Sequence, residues 1–118
     1  MSHLQGSLLT LPTCSVDKPR GRFLTHLGAY PTAGSGARAG IATGTYDGSG
    51  NGGPCVVKIY GLAKGISGAP ITLDADGQLE VEIGDNGTVI PKNLGVAVGK
   101  AISAATAADQ DVDVIIYL

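Results

Sequence analysis

From Cys55 onward, apolar and polar side chains alternate in short runs that stop at Gly, Pro or Asn. This is the two-residue period of strands with one buried face. Cys55-Val56-Val57-Lys58-Ile59-Tyr60 is β-branched, begins after Pro54 and ends at Gly61, so it predicts a strand. Pro70 to Ala75 and Gln78 to Ile83 put Ile71, Leu73, Leu79, Val81 and Ile83 on one face, with Thr72, Asp74, Gln78, Glu80 and Glu82 on the other. The two runs predict a hairpin with one dry face and one acidic face. A two-residue turn at Asp76-Gly77 would set Leu73 opposite Glu80, whereas a turn over Ala75-Asp76-Gly77 pairs Leu73 with Leu79 and Ile71 with Val81. Matching apolar to apolar predicts the longer turn, with Gly77 left-handed.

Asp85-Asn86-Gly87 predicts a second turn, and Val89-Ile90 a short strand ending at Pro91. Leu94 to Gly99 would place Leu94, Val96 and Val98 on one face of a further strand, with only Gly and Ala on the other. Ala101 to Gln110 is Ala-rich enough for a short helix, but a strand to about Ser103 followed by an irregular connection fits the preceding alternation better. Val112 to Leu118 is apolar almost throughout, as expected of a central strand buried on both faces.

The front of the chain is organised differently. Leu8-Leu9-Thr10-Leu11 and Arg22-Phe23-Leu24-Thr25-His26-Leu27 are short apolar stretches broken by Pro12, Pro19 and Pro31. Residues 34–53 then hold eight glycines, around a candidate strand from Ile41 to Tyr46. Such a segment loses much entropy on ordering, so arm and loop are expected to become ordered on a partner. The reading is an arm over residues 1–35, a glycine-rich loop over 36–54 and a β body over 55–118, in a single domain.

Composition narrows the fold class. The core must be filled with no Trp, one Phe, four Tyr and one Met, and the 19 glycines would penalise helices. The expectation is an all-β fold: a small β-sandwich or barrel, jelly-roll or tulip-like, with an extended N-terminal arm and a glycine-rich loop. No apolar run approaches the ~20 residues that span a bilayer, and the N-terminus lacks the order of a signal peptide. A soluble chain made in a cytoplasm, with no membrane partner, is therefore expected.

Charge divides lengthwise. Residues 1–40 carry Lys18, Arg20, Arg22 and Arg38 against Asp17 alone, while residues 41–118 carry nine acids against four lysines. With few cations and Phe23 as the nearby aromatic, the front fits an acidic protein surface better than nucleic acid. Contact with a partner or neighbouring subunit is assigned to Leu8, Leu9, Leu11, Arg20, Arg22, Phe23, Leu24, Leu27 and Arg38. Deleting residues 1–30 is then expected to leave a folded body.

Candidate chemistry is sparse. Gly48-Ser49-Gly50-Asn51-Gly52-Gly53 has the dinucleotide-fingerprint spacing, but Pro54 and a strand follow where a helix N-terminus would have to hold phosphate. Cys14 and His26 share a segment with no evident scaffold to fix an attack geometry. Asp109, Asp111 and Asp113 lack the Gly and Glu of a calcium loop, and the Cys and His residues lack zinc spacings. Asn86-Gly87-Thr88 reads as a turn rather than a glycosylated sequon. Cys14 and Cys55 are expected to be free thiols. No catalytic residue, cofactor or metal is expected.

Gly68-Ala69-Pro70-Ile71-Thr72-Leu73-Asp74-Ala75-Asp76-Gly77-Gln78-Leu79, then Leu94-Gly95-Val96-Ala97-Val98 and the Ala-rich run into Asp111-Val112-Asp113-Val114-Ile115, resemble the small decoration or cement proteins of tailed-phage capsids. The similarity covers residues 60–118. It implies a non-enzymatic β-sandwich or barrel that oligomerises, commonly as a trimer, on the outer capsid surface of the virion. There it would bind the major capsid protein and staple neighbouring capsomers. A tail- or fibre-associated assembly module is the alternative, and a small ligand-binding β-barrel a further one.

Overall fold

Short β-branched and leucine-bearing runs pair edge to edge in the computed structural model, which describes residues 7–16, 19–44 and 54–117. The first sheet joins β1 (Leu8–Leu11), β2 (Phe23–Leu24), β3 (Gly40–Ala42) and β4 (Cys55–Lys58) in the order β1-β4-β3-β2. The second joins β5 (Gly61–Ile66), β6 (Leu79–Ile83), β7 (Val89–Pro91), β8 (Gly99–Ala101) and β9 (Asp111–Ile116) in the order β5-β9-β8-β6-β7. All strand pairs are antiparallel. The fold is thus all-β, a small sandwich in keeping with its composition.

The front segment is not an arm but half of the first sheet. Leu9 pairs with Val57 and Leu11 with Cys55, while Phe23 pairs with Ile41, which in turn faces Lys58. Because successive strand residues point to opposite faces, Phe23 and Leu24 enter different cores. Phe23 and Ile41 join Val81, Ile83, Val89, Val98, Val112 and Val114 between the sheets. Leu24 joins Leu11, Cys14, Ala42, Cys55 and Val57 beneath the segments around Cys14, Tyr30 and Ala39. The expected boundary at residue 35 therefore divides no folded unit. Residues 45–53, including the dinucleotide-like glycine spacing and the end of the Ile41 to Tyr46 run, lie outside the described residues.

In the body, the three-residue turn forms: the Asp74 N–H bonds the Gln78 carbonyl at 3.0 Å, and Gly77 has φ +80°. The strand expected before it does not. β6 is flanked on both edges, with Val81 registered against Pro91 of β7 and Gly99 of β8, so it has no third edge for residues 70–75. Ile71 bridges Ala105 instead. The run from Leu94 is a strand only from Gly99, and residues after Ala101 form the irregular connection. β9 is buried at Val112, Val114 and Ile116, but only half-buried at Asp113 and Ile115. One dry face, rather than two, is what that strand has. The Asp85–Gly87 turn is a short 3-10 segment with Asn86 at φ 57°.

β5 has no counterpart in the sequence pattern, because Gly61 and Gly65 depress strand propensity. At Gly65 the small size has a steric reason: a Cβ there would lie 2.8 Å from the Val89 side chain.

Candidate interaction surface

The residues assigned to partner contact separate into four groups. Leu11, Phe23 and Leu24 are core residues, at most 2% exposed. An apolar side chain removed from water inside its own subunit has none left to offer a neighbour, so these three assignments are corrected. Leu8 and Leu9 are half-buried on β1. Leu27 is 79% exposed, at a turn held by bonds from the Leu27 and Ala29 N–H groups to Thr25 Oγ1.

The arginines meet their own chain. Arg20 pairs with Asp111 at 3.2 Å. Arg22 donates to the Asn86 carbonyl at 3.3 Å and lies 4.0 Å from Asp109. Arg38 donates to the carbonyls of Gly36 at 2.8 Å and Tyr117 at 2.9 Å, and burial lowers its pKa. The acidic neighbour sought by the basic front thus includes the second sheet of the same molecule. Leu9 and Arg38 come together with His26, Ala39, Ile59 and Tyr117 around a shallow depression of about 420 Å³.

A second exposed feature escaped the sequence pattern. Leu94 is 95% exposed and Val96 53%, on a loop tied down at several points. The buried carboxylate of Glu82 accepts the N–H groups of Asn93 and Gly95, the latter at 3.0 Å. Val96 donates to the Gly34 carbonyl at 2.9 Å, and Gly34 donates to that of Ile83 at 2.7 Å. Glu82, expected on a solvated acidic face, is a structural acceptor instead. The sequence signal available was Pro91 and the Asn93-Leu94-Gly95 triplet, a turn composition rather than a strand. A preordered loop that presents apolar side chains has the physical form of a contact site, since little entropy remains to be lost on docking.

Other exposed apolar groups are Leu62, Tyr60 and Ile102. Leu62 registers against Ile115, and Ile115 against Lys100, on the face away from the inter-sheet core. Tyr117 Oη donates to Glu80 at 3.3 Å, and burial followed by the Glu80 charge raises the tyrosine pKa.

The two cysteines are free, buried and mutually close: Cys14 Sγ donates to the Val16 carbonyl at 3.3 Å. Burial, then a hydrogen bond and charge interaction with Cys14, push the Cys55 thiol up to about 12. A thiol held protonated is a poor nucleophile.

No family model matches this chain, and no curated protein matches it. A solved structure, the head fiber gp8.5 N base in bacteriophage phi29, is similar in fold at TM-score 0.70 and 18% identity. The likeness covers 93% of this chain and 94% of that one.

Proposed function

We propose that this chain is a structural component of a phage virion, seated on the outer surface of the capsid, where it contacts the major capsid protein and copies of itself. The observation that carries the reading is a likeness of fold that runs through 93% of the chain, so both sheets and their connections take part. The resemblance of residues 60–118 to decoration proteins leads to the same class. Neither line involves catalysis, and the reading contains none.

Two versions differ in what the protein does there. As a decoration protein, it staples neighbouring capsomers as a trimer, with affinity multiplied by simultaneous engagement. As a fibre base, it anchors a projecting module. The solved neighbour is itself the base of a head fiber, which favours the second version. Leu94, Val96 and Leu27 are exposed side chains available for either contact.

Co-sedimentation with purified expanded and unexpanded shells tests the common reading, and binding to neither would sink it. Copy number in purified virions separates the versions: a stapling protein approaches the number of capsomer junctions, whereas a fibre base occupies few sites. Leu94→Asp should weaken shell binding while leaving the urea midpoint unchanged.

A further inference from the structure

The edge of the second sheet at β5 borders a slot. Ser67 N–H bonds the Gln110 carbonyl on the β9 side, and Ile66 N–H bonds the Gly21 carbonyl on the opposite side. Since successive residues of a strand direct their backbone groups to alternate sides, Leu62 and Lys64 point theirs away from β9, as Ile66 does. No described residue pairs with those of Leu62 or Lys64. They face a slot of about 230 Å³ whose lining includes Ile41, Ala42 and Ala63. Gly21 closes one end, donating to the Ala42 carbonyl while accepting from Ile66. The opposing edge at β7 is short, contains Pro91 and is capped by Ser67 and Gly68.

Three cations border the slot: Arg20, Lys58 and Lys64. Arg20 and Lys64 lean on Asp111 and Asp113 at 3.2 and 2.7 Å. Lys58 has no acidic partner among the described residues, and its stem lies 3.9 Å from where a Cβ on Gly61 would be. β9 already demonstrates which kind of strand suits β5. The first four residues of β9 alternate Asp and Val, and its antiparallel pairing sets their carboxylates against Arg20 and Lys64.

We propose that the free edge of β5 is a strand-addition site for an extended, acidic segment of a partner protein. Leu62 and Lys64 provide the backbone donors and acceptors, the apolar floor takes alternate side chains, and Lys58 takes a carboxylate. Such edges are the ordinary route by which sheets recruit an extended peptide. The inference stands apart from the virion reading, because it rests on the edge and its charges alone.

The test uses the full chain and a blocked Asp-Val-Asp-Val-Asp-Val peptide, with a blocked Lys-Val-Lys-Val-Lys-Val peptide as control, followed by amide NMR and hydrogen exchange. The acidic peptide should protect the Leu62 and Lys64 amides, and the basic one should not. Lys58→Gln should weaken binding about three- to fivefold. Lys64→Pro removes an edge N–H that β9 does not use, so the sheet survives, and it should weaken binding by about tenfold or more. Lys64→Gln separates charge from hydrogen bonding and should cost less than Lys64→Pro. Equal binding of both peptides, or no protection at Leu62 and Lys64, overturns the proposal. Protection that depends on protein concentration without peptide would assign the edge to a second copy and also overturn it.

Discussion

At Glu82 one buried carboxylate satisfies two loop amides, those of Asn93 and Gly95. Removing it leaves both donors to find new partners, which costs far more than the net value of a hydrogen bond. Glu82→Ala should lower stability by about 1–3 kcal/mol in urea titration, and should loosen the Leu94 loop by hydrogen exchange. Glu82→Gln keeps an acceptor and should lose less. Cys55 supplies a pH dependence. Its folded pKa of about 12 stands above the ordinary 9.0, so above pH 9 the unfolded chain releases a proton that the folded one retains. Stability is therefore full below that pH and falls as pH rises toward 12. Urea midpoints from about pH 8 to about pH 11 should show the decline, and Cys55→Ala should reduce its slope. Neither residue's role was legible in the sequence, since Glu82 sits in a clean polar alternation and Cys55 opens an ordinary strand. Their neighbours are Asn93, Gly95 and Cys14, and only folding brings Cys14 to Cys55 across 41 residues.

Among the elements, β1 and β2 are the ones whose meaning changes most between sequence and fold. Apolar runs of two to four residues are too short to build a core alone, and the prolines around them suggest an arm laid on something else. The surface they need is provided by β3 and β4, which follow in sequence and cover them on the same sheet. A protein lacking residues 1–30 loses both strands, together with Leu11, Cys14, Phe23 and Leu24 from the two cores. Truncating a single buried Phe typically costs about 3–5 kcal/mol, a large part of a domain's total stability. That deletion should therefore abolish the cooperative urea transition, and a retained sharp transition would contradict this architecture. β6 and the Ala75-Asp76-Gly77 turn could be read from alternation and turn chemistry because both are local. The partner of β6 could not. A strand has two edges, and β7 and β8 occupy both.

Over the whole molecule, the arginines of the first half join the two sheets. Arg38 is the strongest of these links, because its partly buried guanidinium donates to carbonyls of Gly36 and Tyr117, 79 residues away in the latter case. Arg38→Ala should lower stability by about 1–2 kcal/mol, given the worth of hydrogen bonds to charged groups. Arg20→Ala should change it little, since an exposed ion pair is offset by side-chain entropy and screening. Thermal melts of the two variants at low and high salt would check the ranking. The sequence by itself determined the all-β class, the turns at Ala75-Asp76-Gly77 and Asp85-Asn86-Gly87, the irregular Ala-rich connection and the lengthwise division of charge. These follow from side-chain period, glycine content and local turn geometry, which act over a few residues. The tertiary structure alone decided that the front strands complete a sheet, that Arg20, Arg22 and Arg38 meet acids and carbonyls of the same chain, and that the described residues leave Leu94 and the β5 edge uncovered. Those outcomes depend on which strand claims which edge, a competition among segments far apart in sequence that no local pattern records.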